Sequence, residues 1–373
     1  MVALVALKTG RAARVVYNKD DDMCVTGKRH EYLAIWSVGF SSEGVIEGIK
    51  FDFYSNGGAA ADLSTSVMER AMLHADNGYF FPNVELNGQV CFTNLPPNTA
   101  FRGFGGPQAV AAIENVIQRI AEHLNVDSFE VRRRNLYGVE DRNVTPYGQI
   151  FTRNHLPGIF DQLVESSDYK NRRLQVTKAN QIDNMVLRGL ALTPVKFGIA
   201  FTSKFLNQGN ALVNVYTDGT VQVSTGGTEM GQGLNTKIRQ LVADELGVPY
   251  RDVIVMPTST EKNNNTSPTA ASAGTDINGA AAANACRKIR ARLADYAADL
   301  FASNEEGLVK SPEHVVFAEG IVGDSRRTDK QISFGKLVKQ ARRDRIDLGA
   351  RGFYVTPGVD FNRITGRGNP FLY

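Results

Sequence analysis

Three loops rich in glycine or other small residues could hold an anionic ligand through main-chain N–H groups. The first, Gly226–Gly233, reads GGTEMGQG and leads directly into the helical pattern Leu234–Leu246. A glycine-rich turn that opens a helix leaves N–H groups unpaired at the positive end of the helix dipole. Such a turn suits a phosphate or another anion. Many strand–helix turns contain glycines only because the chain must turn sharply. This loop therefore indicates an anion site only if other loops indicate the same kind of ligand.

The other two loops also open onto predicted helices. Phe101–Gln108 reads FRGFGGPQ and precedes an amphipathic helix, with Pro107 at the first helical position, where no N–H is needed. Asn263–Gly274 reads NNNTSPTAASAG and precedes an alanine-rich helix that we predict to extend from Thr275 to Leu300. The loops share neutral donors, namely Gln108, Gln232, Ser272 and Thr275. These donors suit a large, oxygen-rich anionic cofactor and do not suit a bare metal ion.

Four further side chains could act on a flat substrate. Phe104 and Phe201 could stack on its ring, and Arg70 and Arg102 could offset negative charge. The sequence VMERAMLH around Arg70 favours an arginine that snorkels to the surface. Motifs of other chemistries are absent from the sequence, which has no HExxH, no GxxxxGK[ST] and no GxSxG. The five histidines have no ligand spacing, so each is interpreted as a surface or core residue.

The composition argues against several classes of partner. A net charge of +3 over 373 residues is too small to indicate a nucleic-acid ligand. The three cysteines lie far apart without a CxxC pair, so neither a disulfide framework nor a structural zinc site is indicated. A reducing cytoplasm fits this cysteine usage. No apolar run is long enough to indicate a membrane span.

The first part of the chain predicts strands followed by helices. Alternating apolar residues predict a hairpin over residues 31–54, ended by Ser55–Gly58, and another strand over 84–93. Asp127 begins a helix with a capping-box pattern after the helix that follows Pro107. The Arg132–Arg134 run in this helix is interpreted as a solvated face or a subunit contact.

The second part of the chain begins after a polar segment. Residues 138–187 are irregular apart from a short helix, Gly158–Ser166, and this is typical of a seam between domains. A strand over 188–201 and a hairpin across Asp218-Gly219 then precede the loop Gly226–Gly233. Both parts therefore combine strands with helices.

Four motifs, in this order, resemble the molybdenum-cofactor subunit of the xanthine dehydrogenase/aldehyde oxidase family. They are NTAFRGFGGPQ (98–108), KFGIAFT (196–202), GGTEMGQG (226–233) and TSPTAAS (266–272). The likeness extends over essentially the whole chain and covers the middle of that subunit. It implies an α+β fold of two molybdopterin-binding domains, with mixed sheets, packed helices and a cofactor held between glycine-rich loops at helix N-termini. Residues 1–170 would be the C-terminal part of the first domain, and 171–373 the N-terminal part of the second.

The resemblance also implies which residues bind the cofactor. Molybdenum–molybdopterin would be held by Arg102, Met230, Gly231, Gln232, Ala270, Ala271, Ser272 and Thr275. Arg102 would contribute a main-chain contact near the molybdenum ligands, and Ala270 and Ala271 would line the metal site. Ser272 and Thr275 would bind pterin or phosphate groups.

The substrate contacts follow from the same resemblance. Phe104 and Phe201 would sandwich the substrate ring, one against its face and one against its edge, and Thr202 would hydrogen-bond to it. Arg70 would act in catalysis by anchoring a purine oxygen and stabilising negative charge on the ring. Related aldehyde oxidases usually lack this arginine, so its presence favours a purine and overrides the surface interpretation of Arg70.

The implied activity is oxidation of hypoxanthine or xanthine to urate. In the family, a molybdenum-bound hydroxyl attacks an electron-poor carbon with the help of a glutamate base, and hydride passes to a sulfido ligand. Electrons leave through iron–sulfur clusters to FAD on partner chains or segments, and we expect a dimer of such assemblies. A hydroxylase of another N-heterocycle or of an aldehyde is the alternative in the same class.

Two glutamates of the family pattern are absent from the chain. A GGGFGGKE segment with a substrate-binding glutamate is expected before Met1, and the catalytic glutamate of a GVGEP-type loop is expected beyond Tyr373. Glu229 and Glu69 are the tempting substitutes in the chain, but Glu229 belongs to a loop of the family and is not its base. We therefore expect a fragment that is not catalytically complete by itself, and a truncated, inactive remnant is the third interpretation.

Overall fold

The computed structural model describes residues 1–182, 185–263, 265–302 and 309–373. The chain divides into two units, Met1–Phe197 and Gly198–Tyr373, and each has a hydrophobic core of its own. Both units combine helices with sheets of mixed strand direction, which confirms the predicted α+β class. The predicted domain boundary after residue 170 stays a prediction.

A three-stranded sheet of order β1-β2-β3 forms the base of the first unit. Its strands are β1 (Tyr32–Phe40), β2 (Ile46–Gly58) and β3 (Val84–Phe92). The first two form the predicted antiparallel hairpin, and β3 is parallel to β2. The prediction that Ser55–Gly58 ends the second strand is wrong, because β2 pairs with β3 as far as Gly58.

The first unit also contains helices, and two of them, Ser64–Met72 and Gly106–Leu124, contact the sheet. Those described are α1 (Val2–Thr9), α2 (Lys19–Val25), α3 (Ser64–Met72), α4 (Gly106–Leu124), α5 (Ser128–Asn135), α6 (Leu156–Ser166) and α7 (Tyr169–Ile182). The apolar face of α4 is buried, as its periodicity predicts. Residues 138–187 are less irregular than predicted, because α7 follows the expected helix α6. Among its described side chains α7 buries only Tyr169, so it has no apolar face to recognise in the sequence.

Arg132 corrects the interpretation of the arginine run in α5. Its guanidinium is buried, lies 2.8 Å from Glu114 of α4 and donates to the hydroxyl of Ser128 at 2.7 Å. Arg132 is therefore neither solvated nor available to a partner subunit. The local charge pattern could not show this, because the packing of α5 against α4 decides which arginine faces inward.

The second unit contains a four-stranded sheet of order β10-β4-β5-β6 and two smaller ones. The strands are β4 (Gln208–Val215), β5 (Val221–Thr225), β6 (Val253–Val255), β7 (Val315–Ala318), β8 (Ile321–Asp324), β9 (Arg327–Ser333), β10 (Gly349–Val355), β11 (Asp360–Asn362) and β12 (Arg367–Asn369). Strands β4 and β5 form the hairpin predicted across Asp218-Gly219. The strand predicted over 188–201 is wrong, because this segment has only an isolated bridge from Ile199 to Leu372.

The first two helices of this unit follow loops that the sequence singled out. The helices are α8 (Leu234–Leu246), α9 (Ala280–Ala302) and α10 (Phe334–Arg343), and a π-helical turn, Thr275–Gly279, leads into α9. The alanine-rich α9 packs closely on β10, since a Cβ on Gly352 would lie 1.8 Å from the carbonyl oxygen of Ala281. No helix in the described ranges is long and apolar enough to cross a membrane.

Candidate cofactor and substrate site

The loop that carries Phe104 lies directly on the helix that carries Arg70. Gly103, Phe104 and Gly105 all have positive φ angles, of 95°, 52° and 94°. This conformation is strained for a phenylalanine, and such strain is common at functional sites. A Cβ on Gly105 would lie 2.1 Å from the carbonyl oxygen of Val67 in α3. The first unit therefore brings the elements of two predicted substrate residues together.

Arg70 is buried, with 4% of its surface exposed, so the surface interpretation of this residue is wrong. Its guanidinium lies over the ring of Phe197, with Cζ 5.6 Å from the ring centroid. His74, one turn further along the chain, has Nδ1 3.0 Å from the carbonyl oxygen of Arg70. Burial lowers the pKa of His74 well below its ordinary value, and the positive charges of Arg70 and Lys196 lower it further. The arginine thus lies beside a neutral imidazole.

Arg102 is exposed, and its main chain is held by a residue that no motif singled out. Its carbonyl oxygen accepts a hydrogen bond from Nη2 of Arg29 at 2.6 Å. The Arg29 guanidinium also lies 4.4 Å from the centroid of the Phe101 ring. Arg29 and Arg102 are far apart in sequence, so only the fold reveals this contact. The role of Arg102 near a metal stays a prediction.

Two of the three predicted loops lie against each other in the second unit. A Cβ on Gly226 would lie 2.2 Å from Cγ2 of Thr266, so only glycine fits there. The main-chain N–H of Thr228 donates to the hydroxyl of Thr269 at 2.8 Å. These two loops are therefore in direct contact.

Glu229 corrects the prediction that Gly226–Gly233 leaves its N–H groups open to an anion. Its carboxylate accepts main-chain hydrogen bonds from Gly231 at 2.9 Å, Gly233 at 3.0 Å and Asn235 at 3.0 Å. The hydrogen bond from Asn235, together with those from Gly233 and Gly231, lowers the pKa of this exposed carboxyl. The loss of some hydration beside the loop opposes this shift. The chain thus caps α8 itself. A base with a lowered pKa is poorly suited to take a proton. The expectation that Glu229 is not the catalytic base stays a prediction.

The Gln232 side chain is also held within its loop. Its amide donates to the carbonyl oxygen of Thr228 at 2.8 Å and accepts from the main-chain N–H of Met230 at 2.5 Å. Met230 and Gly231 are exposed on this loop. The predicted pterin-binding residues therefore lie on a turn that hydrogen bonds within the loop hold together.

The loop with Ala270, Ala271 and Ser272 is strained. Ala271 and Ser272 have φ angles of 53° and 55°, and Ala200 has a φ angle of 99°. The N–H of Ala200 donates to the carbonyl oxygen of Ala271 at 3.1 Å, so two strained segments are bonded together. This places the chain just before Phe201 beside the predicted cofactor loop. The π-helical turn that follows is another feature common at functional sites.

Phe201 and Thr202 are fixed by two residues that the sequence did not single out. The buried Asn207 accepts from the N–H of Phe201 and donates to its carbonyl oxygen, both at 2.8 Å. The hydroxyl of Thr202 accepts from Nη2 of Arg363 at 2.8 Å. The predicted sandwich of Phe104 and Phe201 around one ring stays a prediction.

The donors of the second unit fit an oxygen-rich organic anion. Neither the hydroxyl of Ser272 nor that of Thr275 has a hydrogen-bond partner among the described residues. A Cβ on Gly231 would have no neighbour within 4 Å, so the loop is open on that side. Within the described ranges, no cluster of His, Cys, Asp or Glu is arranged to hold a metal ion.

A depression elsewhere in the first unit contains none of these residues. It has a volume of about 530 Å³ and lies on the sheet, between residues such as Val38, Lys50 and Glu85. Its lining residues have no strained backbone and no buried charge. We assign it no role in binding the cofactor.

Comparisons with known proteins identify the family. Models described as "Molybdopterin cofactor-binding domain" match residues 1–136 and 162–373. The chain is 43% identical over 96% of its length to a xanthine dehydrogenase of Oryza sativa subsp. japonica, of which it covers 24%. It is 40% identical over 97% of its length to a nicotinate hydroxylase of Emericella nidulans, of which it covers 25%.

The fold agrees with a solved structure of more distant sequence. Quinoline 2-oxidoreductase from Pseudomonas putida 86 superposes on 95% of this chain with a TM-score of 0.80 and 23% identity, and 47% of that protein is covered. The chain spans about a quarter of the length of the curated relatives above. From its two molybdopterin-binding domains and its close relatives, the chain belongs to the xanthine dehydrogenase/aldehyde oxidase family of molybdopterin-dependent oxidoreductases.

Proposed function

We propose that this chain forms the molybdopterin-binding part of a cytoplasmic hydroxylase that oxidises a purine such as hypoxanthine or xanthine. The observation that carries the proposal is the buried Arg70 guanidinium beside the ring of Phe197. Negative charge builds on a heterocycle as one of its carbons is attacked. A fixed cation of low exposure stabilises that charge more in the transition state than in the ground state.

Each unit contributes its own contacts to this function. In the second unit, the exposed Ser272 hydroxyl and the hydroxyl of Thr275 would bind the anionic part of the cofactor, and the turn with Gly231 and Gln232 would position the pterin. In the first unit, Arg70 would hold an oxygen of the purine. When bound, the molybdopterin group supplies the oxidation of the ring carbon. Iron–sulfur and FAD components on other chains or segments would carry the electrons away, in a dimer of assemblies.

The test compares Arg70→Met with wild type in the holoenzyme that contains this chain. We expect xanthine kcat/KM to fall about 10- to 100-fold, the change expected for losing a hydrogen bond to a charged group. Turnover of benzaldehyde, which has no purine oxygen, should stay the same or rise. Arg119→Met, at an exposed position on α4, is the matched control and should change neither rate. An equal loss for both substrates in Arg70→Met would overturn the purine assignment.

Oxidation of another N-heterocycle is the second candidate. The 40% identity to a nicotinate hydroxylase favours it, since that similarity is nearly as high as the similarity to xanthine dehydrogenases. Nicotinate carries a carboxylate, which the Arg70 guanidinium could also bind. Turnover of nicotinate without turnover of xanthine by the wild-type holoenzyme would favour this candidate over the purine.

A further inference from the structure

A buried ion pair fixes the segment that ends the first unit. The ammonium group of Lys196 pairs with the carboxylate of Asp76, and their side chains are only 7% and 2% exposed. The Tyr137 hydroxyl donates to the same carboxylate oxygen at 2.5 Å. The rings of Tyr137, Tyr147 and Phe151 lie 5.5, 5.5 and 5.8 Å from the ammonium nitrogen. Burial raises the pKa of Asp76 and lowers that of Lys196, and the charge of each opposes the shift of the other.

Asn77 holds the main chain of the same segment. Its side-chain oxygen accepts from the N–H of Lys196 at 3.0 Å, and its amide donates to the carbonyl oxygen of Pro194 at 2.9 Å. The Asn77 amide also donates to Glu114, the partner of Arg132, at 3.0 Å. Side-chain hydrogen bonds from Asn77 thus hold the main chain at Pro194 and Lys196.

These contacts hold the main chain next to Phe197, whose ring packs against the first unit. Its ring centroid lies 5.1 Å from that of His74, with the two planes at 44°. A Cβ on Gly106 would lie 3.1 Å from the ring, so the start of α4 closes another side. The Arg70 guanidinium lies over the ring at 5.6 Å. The ring of Phe197 is therefore held by the Asn77 contacts with the main chain, by Gly106 and by His74. The Arg70 guanidinium lies on this ring.

We propose that Phe197 is the positioning residue for Arg70 and so helps to set the specificity for purines. The inference rests on the proposed function, in which Arg70 binds the substrate. A long arginine side chain has many rotamers, and ordering it on binding would weaken its contact with the substrate. The Lys196–Asp76 pair and Asn77 hold the ring of Phe197 in place. This ring forms a cation–π contact that orders the Arg70 guanidinium before the substrate binds.

The test measures xanthine and benzaldehyde kinetics for Phe197→Leu in the holoenzyme that contains this chain. We expect xanthine kcat/KM to fall about tenfold, the change typical of a desolvated cation–π contact. Benzaldehyde kinetics should change less than twofold, because Arg70 does not serve that substrate. Phe197→Tyr keeps the ring and should restore xanthine specificity. Phe92→Leu, at a position that is 79% exposed, is the control for losing a phenylalanine and should change neither rate.

A double-mutant cycle separates positioning from a general loss of structure. In an Arg70→Met background, Phe197→Leu should have no further effect on xanthine kinetics, because the residue that it positions is gone. Phe197→Met, which fills more of the space without a ring, replaces Phe197→Leu if that variant does not fold. Equal losses for xanthine and benzaldehyde, or additive losses in the cycle, would overturn the inference. A wild-type holoenzyme without xanthine turnover would instead overturn the proposed function, and the inference with it.

Discussion

Gly105 touches helix α3 so closely that a methyl group on its Cα would lie 2.1 Å from the carbonyl oxygen of Val67. Arg70 follows Val67 by about one turn of the same helix, and Phe104 precedes Gly105 in the strained loop. The contact between these two backbones therefore sets the position of one predicted substrate residue relative to the other.

Replacing this glycine should destabilise the chain strongly. We expect Gly105→Ala to lower the free energy of unfolding by at least about 2 kcal/mol, because it adds a side chain at positive φ and a clash with the backbone. Urea denaturation of the purified chain measures this. Gly158→Ala in α6 is the control, since nothing lies within 4 Å of a Cβ there. That variant should be neutral or more stable by about 0.5–1 kcal/mol, and equal effects of the two substitutions would contradict the prediction.

Glu229→Ala should loosen the start of α8. The main-chain N–H groups of Gly231, Gly233 and Asn235 lose their acceptor, so we expect their amide hydrogen exchange to become faster, with amides in the middle of α8 much less affected. Hydrogen exchange followed by NMR measures this. Glu319→Gln, at another exposed position of the same unit, should leave these amides unchanged. Unchanged exchange in Glu229→Ala would show that the cap is not formed in solution.

The pH dependence of this cap has a definite sign. Hydrogen bonds from the main chain lower the pKa of Glu229 in the folded state. The carboxylate therefore stabilises the fold fully at neutral pH, above the pKa of an unfolded glutamate, and this contribution is lost only as pH falls through the lowered pKa. Protection of the Gly231, Gly233 and Asn235 amides in the wild type should persist to more acidic pH than an ordinary glutamate would allow.

Breaking the buried pair of Lys196 and Asp76 should cost more than breaking a surface pair. We expect Lys196→Met to lower the free energy of unfolding by about 3–5 kcal/mol, because Asp76 is left buried without its cation. Adding Asp76→Asn should recover part of this loss, since no buried charge then remains. Lys50→Met breaks the exposed pair with Glu85 and should have no measurable effect in the same urea titration. A Lys196→Met chain as stable as the wild type would contradict the pairing.

Removing the hydroxyls of Ser272 and Thr275 should weaken cofactor binding without weakening the fold. Neither hydroxyl has a partner among the described residues, so Ser272→Ala and Thr275→Val remove no internal hydrogen bond. We expect each to weaken cofactor binding about tenfold, as for one hydrogen bond to a charged group. Molybdenum content per chain in the purified holoenzyme is the measurement, with Ser325→Ala as control. A full molybdenum content in the double variant would argue against both contacts.

The sequence by itself determined the elements that depend on local spacing. Interactions within a few residues account for four such features. They are the periodicity of α4, the Asp127 cap, the hairpin across Asp218-Gly219 and the bounds of α8. The four motifs likewise indicated the family, because glycines and small residues in loops reflect what those loops must accommodate.

Tertiary structure decided what each charged side chain does. Lys196 and Asp76 are 120 positions apart, so no local pattern reveals that they pair. The burial of Arg70 and Arg132 depends on which helix face meets a neighbour, and a charge run does not show this. Glu229 lies within six residues of the N–H groups that it caps, but sequence distance alone does not show the cap. The positive φ angles of Gly231 and Gly233 turn the loop back toward its carboxylate. Local sequence sets which elements form, and the packing between distant elements sets which charges are buried, paired or open to a ligand.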